Sequence, residues 1–317
     1  MPQQHGANFD RKVREIIEAI LTHEETSIRN AMTMLDQLRR DLTLEMRSHG
    51  ISEFQLSIYR QIERAAEATL NQFRLDLEAR FRTDLNTSVR LGLRLAEEPM
   101  VSFAATPLAG ITPQLAIVAA EYSLAYVSNL SIAAKDQILG IIRRAALGGL
   151  QIGDAIKQVG TSLTSAGAFK SIAARAETIV RTEVLRVQAI ATQARMMEDR
   201  DRMRRIGYDL QKQWLTADDE RVRISHRLIN GQVREIDKPF DVPIGIVGLI
   251  AGSTEELLYP RDPKGSAANT VNCRCVASPV VIEMAVTTAQ SNRGRHKTGS
   301  GFVVQSSTFR LLVSLAS

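Results

Sequence analysis

Apolar residues recur at spacings of three and four through most of the first hundred residues, and this period constrains the fold more than any other feature. Two runs show it: Ile28, Ala31, Leu35, Leu38 and Leu42, then Ala66, Leu70, Phe73, Leu77, Phe81 and Leu85. Each run places its side chains on one face of a long helix. Gly50 is suited to end the first helix, and Ser52 with Gln55 matches a capping box that starts the second. Residues 1–98 are therefore predicted to form a helical hairpin.

The helical pattern continues beyond the hairpin. Residues 99–113 are rich in Pro, Ala and Thr and are predicted to be a linker. The helical period returns over residues 114–206, with a break at Gly148–Gly149. The mixed charges of residues 198–205 favour a solvated helix face with i,i+4 ion pairs, and a phosphate-binding surface is the alternative.

The composition changes after Gly207, and the change predicts a different kind of structure. Five of the nine prolines follow this point: Pro239, Pro243, Pro260, Pro263 and Pro279. Residues 244–250 and 276–282 are rich in Val and Ile and are predicted to be strands. Residues 207–284 are thus expected to form a small α+β domain, followed by a basic tail over 285–317. The fold class is α+β and mainly α: a long helical hairpin, a helical middle region and this small domain.

The two cysteines of the chain, Cys273 and Cys275, are separated by one residue. On a strand both thiols would point to the same side. If a helix runs from Thr216 to Leu228, then Asp219, Arg223 and His226 share one face of it. Two thiolates and the imidazole of His226 would supply three of the four ligands that zinc takes, with Asp219 or a water as the fourth. The alternative is a structural cluster, in which the cysteines simply pack and Asp219 pairs with Arg223.

An enzymatic interpretation of the same residues is weaker. A cysteine, a histidine and an aspartate are the groups of a cysteine hydrolase. However, no glycine turn that could form an oxyanion hole flanks either cysteine, and no phosphate-binding loop or HExxH motif is present. A non-enzymatic protein is therefore favoured, with a metal-dependent hydrolase or effector as the alternative.

Several motifs in fixed order resemble the Mu F-like phage head morphogenesis, or minor capsid, proteins. The residues that carry the resemblance are Arg181-Thr182-Glu183, Trp214-Leu215-Thr216, Asp219 to Arg223, His226, Gly231, Phe240, Tyr259-Pro260, Asp262-Pro263 and Asn272-Cys273-Arg274-Cys275. The resemblance covers residues 145–279. Independently of the resemblance, the shared helix face of Asp219, Arg223 and His226 and the shared strand face of Cys273 and Cys275 predict a structural cluster, to which we also assign Trp214 and Asn272. The resemblance itself implies a virion protein near the portal vertex that is made in the host cytoplasm and acts in head morphogenesis and in genome packaging or ejection.

Three kinds of partner follow from these features. The resemblance implies the portal protein and a major capsid or scaffold protein, and the long apolar stripes of the hairpin are expected to provide binding surface. The formal charge of +5 and the basic tail, with Arg293, Arg295, Lys297 and Arg310, are compatible with packaged double-stranded DNA, although the tail could equally be a solubilising end. No membrane partner is expected, because Pro, Gln and Glu interrupt the most apolar stretch, residues 103–127.

Overall fold

The computed structural model describes residues 7–48, 56–102, 114–147, 149–164, 171–244 and 253–284. Residues up to 284 belong to one compact unit. Residues 285–317 lie outside the described residues, and with them the four proposed DNA-contacting residues Arg293, Arg295, Lys297 and Arg310. The same holds for Gly50, Ser52 and Gln55, where the hairpin turn was predicted.

Two long antiparallel helices form the N-terminal part, as predicted. Helix α1 spans Ala7–Ser48 and helix α2 spans Leu56–Glu97, followed by a 3-10 helix over Glu98–Ser102. Each long helix has 42 residues, which corresponds to a length of about 63 Å. The antiparallel arrangement brings His23 of α1 to α2, where its Nε2 atom lies 2.9 Å from the carbonyl oxygen of Asp84.

Three further helices cover the apolar stripes of the hairpin. These are α3 (Gln114–Ala146), α4 (Ile152–Thr164) and α5 (Ile172–Arg205), and the hydroxyl of Ser171 caps α5 by accepting the backbone N–H of Ala174. One core contains Leu35 and Leu77 of the hairpin together with residues of all three helices. The expectation that the stripes remain free for a partner is therefore wrong, because the chain's own helices bury them.

Helix α3 is rich in apolar residues. Its segment Ala116–Ala146 is long and apolar enough to cross a membrane by length and composition alone, with a hydropathy of 1.2. Helices in the core of a soluble protein pass the same test. In this fold Ala116, Val127 and Ile138 of α3 pack into the core shared with α2 and α5, which accounts for part of the apolar composition, since 39% of the apolar window is buried.

Short strands follow the helices. Gly207, with a φ of 90°, turns the chain from α5 into β1 (Tyr208–Leu215), because its backbone adopts the left-handed conformation that glycine takes at little cost. The remaining elements are β2 (Val233–Glu235), β3 (Phe240–Pro243), β4 (Thr254–Leu257) and β5 (Val276–Glu283), with the short helices α6 (Ile224–Leu228) and α7 (Ala267–Thr270).

The strands form two small antiparallel sheets. The first has the order β2-β1-β5, with Tyr208 opposite Glu283 and Leu215 opposite Val276, and the second pairs β3 with β4. Strand β5 confirms the prediction for residues 276–282, whereas residues 245–250 of the other predicted strand lie outside the described part. The first sheet packs directly on the helices, since Leu210 and Val281 share a core with Phe9 of α1 and Leu185 of α5.

The mixed-charge end of α5 is only partly solvated. Arg204 and Arg205 are exposed, as expected for a solvated face, but Asp199 is fully buried. The buried guanidinium of Arg195 lies one turn earlier, and its Nε is 2.9 Å from Oδ2 of Asp199. The interpretation of this run as a wholly solvated face is therefore wrong at Asp199. Arg195 and Asp199 lie on the side of α5 that faces the end of α2, where Glu97 also pairs with Arg195.

Candidate metal centre

His226, Cys273 and Cys275 converge in the interior next to the first sheet, and we call them the thiol–imidazole cluster. His226 lies on α6, and the two cysteines lie in the segment that leads into β5. The Nδ1 atom of His226 is 3.6 Å from Sγ of Cys273 and 3.4 Å from Sγ of Cys275. All three residues are buried, with at most 2% of each exposed. Predictions from the Cys-x-Cys spacing thus correctly pointed to residues that meet in space.

The distances within the cluster fit the edges of a tetrahedral zinc site. Zinc binds sulfur at about 2.3 Å and imidazole nitrogen at about 2.0–2.1 Å. In a tetrahedron these bond lengths place the sulfur and nitrogen atoms about 3.6 Å apart, close to the two observed separations. The three ligand atoms all lie within 4.8 Å of one another. The residues therefore fit a metal ion of zinc's size with two sulfur ligands and one nitrogen ligand.

Aromatic side chains enclose the thiol–imidazole cluster. The ring of Trp214, on β1, meets the His226 ring edge to face, with 5.4 Å between the centroids. Phe240 of β3 also meets this tryptophan edge to face, with 5.3 Å between the ring centroids. Trp214, Phe240 and both cysteines belong to one buried apolar core. Such apolar surroundings limit the access of water to the cluster.

A buried arginine lies beside the two thiols. The guanidinium of Arg261 is fully buried, and its Nη1 donates to the carbonyl oxygens of Cys273 and Cys275 at 2.9 and 2.6 Å. The same atom is 3.9 Å from Sγ of Cys273. Burial lowers the pKa of Arg261, while the two cysteines oppose this shift. A buried cation next to two thiols favours their ionised form, which is the form that binds a metal.

The pKa values of the two thiols are shifted in opposite directions. Burial opposes ionisation of Cys273, but hydrogen bonds with Cys275 and His226 and the charge of Arg261 prevail and hold its pKa well below the usual value. The hydrogen bond with Cys273, together with burial, raises the pKa of Cys275 well above its usual value. A metal that takes both sulfurs binds them as thiolates, so its binding would release the protons that the two thiols still carry.

The predicted helix from Thr216 to Leu228 is wrong, because α6 begins only at Ile224. Asp218 adopts a positive φ of 51°, and the carboxylate of Asp219 accepts the backbone N–H of Arg221. This local bond gives the backbone a turn in place of a helix. Consequently Asp219, Arg223 and His226 do not share a helix face.

The partners of Asp219 and Arg223 also differ from the predicted ones. Asp219 pairs with Arg274 rather than with Arg223, and it is not one of the residues within reach of a common metal ion. Arg223 donates to the carbonyl oxygen of Val271. Both residues thus bind the segment that carries the two cysteines, and neither contributes a ligand to the thiol–imidazole cluster.

Asn272 connects the cysteine segment to α5, a contact that sequence reasoning missed. Its backbone adopts a positive φ of 56°, its N–H donates to Oγ1 of Thr182 at 3.0 Å, and its Oδ1 accepts from Arg181 at 3.4 Å. Arg261 was missed as well, since an arginine between two turn-forming prolines carries no sign of burial. One signal in the sequence did link α5 to the cysteine segment: Arg181 and Asn272 both belong to the motifs that carry the family resemblance.

Comparison with known proteins identifies the family. Residues 140–278 match a family model described as Phage Mu protein F like protein. This segment is similar to the Mu F-like family. It runs from the end of α3 to the start of β5 and contains every residue of the thiol–imidazole cluster, so the resemblance seen in the sequence is confirmed. The family suggests a phage head morphogenesis protein, and hence a virion or phage-associated location.

One curated relative matches over a short stretch. It is the Uncharacterized protein YqbB of Bacillus subtilis (strain 168), which is 42% identical over 59 residues. The match covers 19% of this chain and 17% of that protein, so this chain spans about a sixth of the length of its relative. No solved structure matches.

Proposed function

We propose that the protein is a phage minor head protein that binds the portal and acts in head morphogenesis and in packaging or ejection of the genome. The observation that carries the proposal is the match of residues 140–278 to the Mu F-like family. The place of action would be the virion head near the portal vertex, after assembly in the host cytoplasm. The portal is the first expected partner, and the major capsid or scaffold protein and packaged DNA are the others.

The exposed face of α3 is a surface that suits such a partner. Val118 and Tyr122 are one helical turn apart and are 58% and 57% exposed, and Ile117 beside them is also exposed. Neighbouring apolar side chains on a surface are typical of protein–protein contact sites. This face replaces the hairpin stripes as the expected contact, because the stripes are buried within the chain itself.

Co-purification with the portal protein of the same phage tests the proposal. The intact chain is expected to co-purify, and Val118→Lys with Tyr122→Lys is expected to weaken the complex while leaving the fold intact. Leu44→Lys is the matched control, because Leu44 is an equally exposed apolar residue (70%) on α1. Failure of the intact chain to bind portal would contradict the portal proposal, and equal binding by all variants would exclude α3 as the contact.

We further propose that the thiol–imidazole cluster holds a structural zinc ion. Zinc would stabilise the fold by joining α6 to the segment that leads into β5. The support is the pair of sulfur–nitrogen separations, together with the burial of all three residues. A catalytic metal needs a position open to substrate, and the burial of the three ligands argues for a role in folding. We therefore propose no enzymatic activity for this chain.

Metal analysis of the purified native protein tests the zinc proposal. We expect one zinc ion per chain, lost in His226→Ala and in Cys273→Ser, with a lower unfolding temperature in both variants because the binding free energy contributes to folding. His23→Ala, which removes a histidine of α1 remote in sequence from the cluster, is the control for zinc content. Native protein that contains no metal and does not bind added zinc would contradict the proposal.

A further inference from the structure

We propose that Thr182 of α5 is a positioning residue for the metal centre, acting through Asn272, and that Arg181 and Arg186 support it. The inference rests on the proposed zinc site and extends it to residues that touch no metal. Its basis is that residues 181–186 of α5 contact two loops next to the thiol–imidazole cluster: the loop that contains Asn272 and the loop that contains Arg261. Residues of this outer layer commonly set how tightly a metal is held.

The first contact fixes the backbone next to Cys273. Asn272 has a φ of 56°, a left-handed conformation that is costly for most residues with a side chain. The backbone N–H of Asn272 donates to Oγ1 of the buried Thr182 at 3.0 Å. Because this bond holds the residue directly before Cys273, it determines where the first thiol points.

The second contact fixes the loop that carries Arg261. The Nε atom of Arg186 donates to the carbonyl oxygen of Arg261 at 3.3 Å. Arg261 itself has a positive φ of 67°, and its guanidinium holds the carbonyl oxygens of both cysteines. The chain of contacts therefore runs from α5 through Arg261 to the backbone of both metal-binding residues.

The part of α5 that carries Thr182 is itself restrained by two other helices. The Nε of Arg181 pairs with the buried Glu24 of α1 at 2.7 Å. Oε2 of Glu183, also buried, accepts the hydroxyl of Ser123 on α3 at 2.8 Å. Since α1 and α3 restrain α5 at these positions, Thr182 offers Asn272 an acceptor at a fixed place. A prearranged loop loses less entropy when the metal binds, which raises the affinity.

Zinc affinity of the full-length protein, measured by competition with a chelator, tests the proposal. Thr182→Val keeps the shape of the side chain but removes the acceptor, and we expect an affinity loss of about 10–100-fold. Thr182→Ser keeps the hydroxyl and is expected to bind zinc nearly as the wild type does. Thr33→Val is the matched control, because the Thr33 hydroxyl on α1 is exposed and bonds only within its own helix.

The spectrum of the cobalt-substituted protein adds a readout that general destabilisation would not change. The sulfur-to-cobalt absorption bands should shift in Thr182→Val, because the Cys273 sulfur is no longer held in place, and should be normal in Thr182→Ser. If Thr182→Val does not fold, Asn272→Gly and Asn272→Ala replace it: glycine accepts the positive φ and should retain affinity, whereas alanine should lose it.

The outcomes separate the two proposals. A wild-type protein that binds no zinc contradicts the zinc site itself. A wild-type protein that binds zinc, with Thr182→Val unchanged in both affinity and spectrum, overturns the inference and leaves the zinc site standing. Equal losses in Thr182→Val and Thr182→Ser would also overturn it, because the hydroxyl would then not be the feature that matters.

Discussion

Replacing Arg195 by methionine would remove a fully buried guanidinium from the contact between α2 and α5. Its Nε lies 2.9 Å from Oδ2 of Asp199 and 2.8 Å from Oε1 of Glu97. Both Arg195 and Asp199 are completely shielded from solvent. Methionine has a similar length and fills most of the same space, so the substitution chiefly removes the charge and leaves Asp199 buried without its main partner.

The magnitude follows from what remains around Asp199. Breaking a buried ion pair by removing one partner costs about 3–5 kcal/mol of the free energy of unfolding. Arg202 stays 3.3 Å from Oδ1 of Asp199 but is itself one-third exposed, so its compensation is partial and we expect about 3 kcal/mol. Arg195→Met combined with Asp199→Leu removes both charges and should recover most of the loss. Arg205→Met, an exposed position on the same helix, should change stability by less than about 0.5 kcal/mol.

The dependence on pH provides a second check on the same argument. Burial raises the pKa of Asp199, and loss of the Arg195 charge should raise it further. A carboxyl group whose pKa is raised in the folded state favours folding at low pH and loses this contribution as the pH rises through the folded value. The deficit of Arg195→Met should therefore be largest near neutral pH and shrink as the solution is acidified.

Urea unfolding followed by two signals measures these effects. Circular dichroism reports the helices, and the fluorescence of Trp214, the only tryptophan, reports the sheets. We expect the midpoint to fall with an unchanged slope, since the surface exposed on unfolding is the same. A loss below about 1 kcal/mol at neutral pH, which is the range of an exposed ion pair, would refute the reasoning, because Asp199 would then have to be solvated.

Four more substitutions test the packing and the buried titratable groups. A Cβ at Gly92 would lie 2.4 Å from the carbonyl oxygen of Gln188, so Gly92→Ala should lower the free energy of unfolding by about 1–3 kcal/mol. Gly140→Ala, with open space around it, should raise it by up to about 1 kcal/mol, as urea unfolding would show. Burial lowers the pKa of His23 from 6.5, so stability should fall as the pH drops below that value, and His23→Gln should remove this part of the pH profile. Burial lowers the pKa of Lys212 to about 7, so stability should rise as the pH increases from 7 toward 10.5, and Lys212→Met should flatten that rise in thermal unfolding.

Features of the fold that depend on neighbours along the chain could be predicted. The period of Leu35, Leu38 and Leu42 predicted α1 correctly, because every third or fourth side chain of a helix faces the same way whatever covers it. The valine-rich residues 276–282 predicted β5 for a comparable reason. The meeting of His226 with the two cysteines was also predicted from the sequence, because two thiols one residue apart and an imidazole are ligands that zinc prefers.

Features that depend on distant contacts could not be predicted. Nothing local marks Arg195 or Arg261 as buried, because each is surrounded in sequence by residues typical of a surface or a turn. Their burial is decided by segments far along the chain, as in the contact of Arg186 with the Arg261 loop 75 residues away. The helix proposed to begin at Thr216 failed for the opposite reason: the side chain of Asp219 makes a local bond that outcompetes the helix.

The first sheet contributes to two buried cores, one around the thiol–imidazole cluster and one shared with the helices. Trp214 and Phe240 form the core around the cluster, but Leu210 and Val281 on the first sheet are buried against Phe9 of α1 and against α5. Separated from the helices, the sheet would expose this second core. A segment of about 75 residues buries little apolar surface, so this loss would strongly lower its free energy of unfolding. A bound zinc would stabilise only the part of the segment that surrounds the cluster. Because α5 contacts both that second core and the loop before Cys273, the helices and the metal centre should fold as one cooperative unit.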